Sequence, residues 1–84
     1  MGMSQKVEAI CQEIYPELHG QGSEVIGAVL GELVSKWLAG HVVIGSRDDT
    51  EKRREEILAM WLQMVRALVP LQESEIEREL QRSN

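Results

Sequence analysis

The chain has 84 residues, 43% of them hydrophobic, with two Trp, one Tyr and no Phe, and nine Lys+Arg against fourteen Asp+Glu leave a formal charge of −5. Such a length holds one small domain, expected over 1–84, and the composition is too apolar for a disordered chain. The acidic balance argues against a nucleic-acid partner, and the single cysteine, Cys11, cannot staple the chain internally.

The longest stretch without a charge runs from Trp37 to Ser46, half of what a bilayer span requires, so no membrane partner is expected. No basic segment followed by an apolar run opens the chain, and a cytoplasmic location is the default expectation. No stretch alternates polar and apolar residues for long enough to build a sheet.

The first helix is expected over about 4–14. Ser4 serves as N-cap, and Val7, Ile10, Cys11 and Ile14 share one face. Pro16 and the Gly20-Gln21-Gly22 cluster make 15–22 a connection.

The second helix is expected over 23–39, with Ser23 as its N-cap and Gly40 as a left-handed stop. Its apolar residues, among them Val25, Ile26, Leu30, Leu33, Trp37 and Leu38, cover more than half of the circumference, whereas Glu24, Glu32 and Lys36 cluster on the remainder. An arc this wide needs neighbours on more than one side. Gly27, Gly31 and Ser35 form a small-residue stripe at its border. Each interior glycine costs about 1 kcal/mol relative to alanine, so a close helical neighbour would account for them.

Residues 40–49 form a second connecting loop containing Val42-Val43-Ile44. A third helix is expected over 50–69, capped by Asp48, Asp49 or Thr50 and ended by Pro70. Ile57, Trp61, Met64, Leu68 and Leu71 follow one another at spacings of four and three. Residues 72–84 are expected to form a weakly ordered or docking tail, with Ile76 and Leu80 one turn apart.

The sequence offers little to catalysis. His19 and His41 are the only imidazoles, and no metal-binding spacing occurs, so no catalytic residue, metal ligand or cofactor is assigned. Cys11 lies on an apolar helix face, where a small buried hydrophobe is the simpler role. Gly20-Gln21-Gly22-Ser23 places backbone N–H groups at a helix start but lacks the lysine of a nucleotide loop. Lys52-Arg53-Arg54 is the one dense basic cluster, and acidic neighbours surround it.

These features converge on an all-α protein: a small three-helix bundle, with a helical hairpin of 23–39 and 50–69, an N-terminal helix and a short C-terminal tail, completed by dimerisation. The expected function is that of a non-enzymatic homodimeric interaction or regulatory module, with room for another protein partner. Its interface would use Ile26, Leu30, Leu33, Trp37, Ile57, Trp61, Met64 and Leu68. The alternative is a small-ligand or accessory protein with a pocket near the 40–49 loop, lined by His41, Arg47, Arg53 and Arg54.

Overall fold

A computed structural model of the chain describes residues 2–83. Three helices make up 85% of it, and no strand occurs among the described residues. They are α1 (Met3–Leu18), α2 (Ser23–Ala39) and α3 (Arg47–Ser83). The chain separates into two compact units, Met1–Ser35 and Lys36–Asn84. The division falls within α2.

In the first unit, α1 starts one residue earlier than expected. Gly2 takes the N-cap place assigned to Ser4, and its N–H donates to Gln5 Oε1 at 3.1 Å. The helix then runs through Pro16 to Leu18 instead of stopping at residue 14. Proline removes the bond to the Gln12 carbonyl, but Gln12 is exposed and water can replace the missing donor. Helix therefore takes up part of the expected 15–22 connection.

The chain turns at Leu18–Gln21. The Gln21 N–H donates to the Leu18 carbonyl at 3.1 Å, His19 is extended at φ −60° and ψ 128°, and Gly20 adopts φ +84°. Those angles describe a type II turn, whose third position favours glycine because a Cβ would be strained there. Gly22, not Ser23, then occupies the cap of α2, its carbonyl accepting from the Ile26 N–H. Cys11, Ile14 and Leu18 on α1 are half-buried, as are Ile26 and Val34 on α2.

The second unit begins with the last turn of α2. Gly40 does not have the left-handed geometry expected of it; Gly45, five residues on, has φ +85°. Gly45 is the third residue of a turn closed by the Ser46 N–H on the Val43 carbonyl. Ser46 Oγ then accepts from the Asp49 N–H at 3.2 Å and caps α3 in place of Asp48, Asp49 or Thr50.

From Arg47, α3 continues for 37 residues through Pro70 to Ser83, well beyond the expected end at 69. The residues expected as a tail are the last third of this helix; Asn84 lies outside the described residues. Proline again removes one bond, to the carbonyl of the exposed Arg66. Beyond it lies a run rich in Gln, Glu, Leu and Arg, all good helix formers. Exposed pairs Arg78–Glu75 (3.2 Å) and Arg82–Glu79 (3.4 Å) add support at i, i+3. Strong local propensity on both sides outweighs a single break.

No hydrophobic residue among those described is buried; Thr50, 4% exposed, is the sole buried side chain.

Candidate functional site: exposed apolar faces on two helices

At 100° per residue, α3 presents two neighbouring apolar sectors. Thr50, Arg54, Leu58, Trp61 and Val65 occupy the inner one and are buried or half-buried. Met60, Met64, Leu68 and Leu71 occupy the outer one and are 70%, 50%, 40% and 63% exposed. Ile57 lies at the border and is half-buried.

The inner sector meets the last turn of α2. There the Arg54 guanidinium closes the helix end: Nε donates to the Leu38 and His41 carbonyls at 3.1 Å each, and Nη2 to the Ala39 carbonyl at 2.8 Å. A cation on these carbonyls also opposes the negative end of the helix dipole. His41 Nδ1 bonds the Trp37 carbonyl at 2.9 Å, while its ring stands edge-on to Trp37 at 5.5 Å. Thr50 ties the loop to α3, its hydroxyl accepting from the Val43 N–H at 2.9 Å and donating to the Ser46 carbonyl at 2.9 Å, with the Val43 carbonyl at 3.2 Å.

Beside this junction lies an open groove of about 500 Å³. Trp37, Ile57, Met60, Trp61 and Met64 form its apolar lining, and Arg53 and Glu56 supply its charges. The two indoles are tilted against each other with centroids 6.4 Å apart. Four of the eight residues expected at an interface, Trp37, Ile57, Trp61 and Met64, thus share one surface. Leu68 lies on the outer sector of α3 beyond it.

The remaining three belong to the first unit. Ile26 is half-buried, while Leu30 and Leu33 are 48% and 50% exposed. Leu33, with Val25 and Val29, lines an open groove of about 580 Å³ whose other wall includes Ile14 and Leu18 of α1. Glu13 and Glu17 give that groove an acidic edge. A Cβ built on Gly27 or Gly31 meets nothing within 4 Å, so the small-residue stripe is open rather than pressed against α1. Nearby, the exposed Tyr15 phenol titrates above its usual range. Charge repulsion from Cys11 is the main cause, followed by a hydrogen bond to Cys11, slight burial and the charge of Glu8.

The four residues considered for a ligand do not act together. Arg54 and His41 are engaged with the end of α2, and Arg47 pairs with Glu51 at 3.0 Å in an exposed i, i+4 contact. Only Arg53 lines the groove. What the sequence reading missed is the double duty of the 46–54 segment, where Ser46 and Thr50 secure the loop and Arg54 closes the preceding helix. The i, i+4 spacing of Ser46, Thr50 and Arg54 places all three on one side, but the carbonyls that Thr50 and Arg54 meet belong to the loop and to the end of another helix.

Among the described residues no group of three His, Cys, Asp or Glu is placed to hold a metal ion, and no helix is long and apolar enough to cross a membrane. Comparison with protein-family models, with curated proteins and with solved structures gives no match.

Proposed function

We propose that the chain is a helical association module that works as a homodimer, binding by apolar docking with a polar rim and making no covalent bonds. The observation that carries this reading is the lack of any buried hydrophobic residue among the described residues. The exposed residues also include Trp, Met and Leu in contiguous stripes, the side chains that form the centres of contact surfaces.

The bundle is then completed between copies. Leu30 and Leu33 on α2, and Met64 and Leu68 on α3, are the residues whose burial would supply most of the association energy, at about 25 cal/mol per Å² of apolar area. The small-ligand alternative near 40–49 draws less support, because Arg54, His41 and Arg47 are already occupied.

Sedimentation equilibrium over a micromolar concentration series, with helicity followed by circular dichroism, tests the proposal. Self-association is expected, with helix content falling on dilution as dimers separate. A monomer that keeps its full helicity and unfolds cooperatively would overturn it.

A further inference from the structure

Seven consecutive residues of α2, from Gly27 to Leu33, are exposed, although the helix is held on both sides of this stretch. Before it, Ile26 is half-buried, in the unit that also contains the half-buried Cys11, Ile14 and Leu18 of α1. After it, Val34 and Leu38 are half-buried, and Arg54 closes the last turn on the Leu38, Ala39 and His41 carbonyls. The bare stretch contains two interior glycines, the least helix-favouring residue after proline. Neither is there to admit a neighbour within the chain, because a Cβ built on Gly27 or Gly31 meets nothing within 4 Å.

Just beyond, the Ser35 hydroxyl donates to the Glu32 carbonyl at 2.9 Å. In a regular helix that carbonyl accepts from the N–H four residues on, so the hydroxyl competes for it, and back-bonding of this kind bends helices. The boundary between the two compact units falls at the same place, between Ser35 and Lys36.

We infer that α2 is hinged between Gly31 and Ser35, and that the hinge lets the two units change their mutual orientation while each stays folded. Three causes coincide in one turn of helix: weak intrinsic propensity, no tertiary cover and a hydroxyl that competes for a backbone acceptor. A helix without cover has only propensity to hold it, and sharp bends in helices recur at Gly and Ser pairs. The glycines that packing leaves unexplained are thereby accounted for, since they lower the stiffness of the link. As a consequence, the apolar faces of the first unit and of α3 are not tied to a single angle when a partner covers them. The hinge belongs to the single chain and holds whether or not the chain self-associates.

Pulsed dipolar spectroscopy on pairs of spin labels tests the hinge. The background is Cys11→Ser, and excess unlabelled protein ensures that only pairs within one chain report. Labels at Gln12→Cys and Gln63→Cys lie in different units, whereas labels at Gln12→Cys and Glu24→Cys lie in one. The distance distribution between units should be about twice as broad as that within a unit. Gly31→Ala with Ser35→Ala should narrow it towards the within-unit width, and Ala28→Gly should broaden it further. Amide exchange at residues 31–36 should slow by about fivefold on Gly31→Ala, as the added Cβ enters open space and favours helix. A between-unit distribution as narrow as the within-unit one, or a width that none of these substitutions moves, would overturn the hinge.

Discussion

The junction at residues 38–54 and the outer stripe of α3 lie in the same unit, yet they are finished to different degrees. At the junction, three carbonyls at the end of α2 meet one guanidinium, a hydroxyl satisfies loop and helix together, and the one buried residue among those described sits there. Along the stripe, four large apolar side chains remain 40–70% exposed. The polar connections are complete within one chain, whereas the apolar ones are not. Hydrogen bonds are short and directional, so neighbouring residues can satisfy them; apolar burial needs area, and three helices in 84 residues leave much of theirs uncovered.

Predictions separate these two regions by the kind of damage each suffers. The largest effect is expected from Leu30→Glu or Met64→Glu, each placing a charge within an apolar face that association would dehydrate. Either should abolish self-association in sedimentation experiments while leaving the junction's bonds untouched. An intermediate effect is expected from Arg54→Ala, which removes the donor to the Leu38, Ala39 and His41 carbonyls. A loss of about 2 kcal/mol should appear in denaturant unfolding at fixed protein concentration. Thr50→Val should cost about 1–3 kcal/mol, because the Val43 N–H loses its acceptor where water has little access.

Smaller effects sharpen the contrast. Gly45→Ala imposes left-handed backbone on a residue with a Cβ and should cost about 1–2 kcal/mol by thermal unfolding. Gly27→Ala with Gly31→Ala should raise the stability of isolated α2 helix by about 1 kcal/mol per site, since each added Cβ enters open space. A loss of self-association in that double variant would place a partner helix on the stripe. Arg47→Ala should change unfolding by no more than about 0.5 kcal/mol, as its pair with Glu51 is largely exposed.

The sequence legibly places most of what depends on local preference. The bounds 23–39 for α2 follow from glycines on either side of an apolar run, and no alternating segment competes with helix. Both prolines mislead for one reason: a missing N–H is a local penalty, and at Pro16 and Pro70 it is borne by exposed carbonyls within otherwise favourable helix. Gly40 misleads because α2 ends there without a positive φ, which falls instead to Gly45 in the separate turn that leads into α3.

What sequence alone determined is the all-helical class, the helical core of each element and the apolar residues that need cover, since all three follow from propensity and a 3.6-residue period. Tertiary structure alone decided which cation is engaged and which side of α3 stays open. Arg53 and Arg54 are adjacent and chemically identical, and only the end of α2 distinguishes them: it draws Arg54 onto its carbonyls and leaves Arg53 in the groove. That choice depends on where residues 38–41 lie in space, a long-range relation that no local pattern encodes.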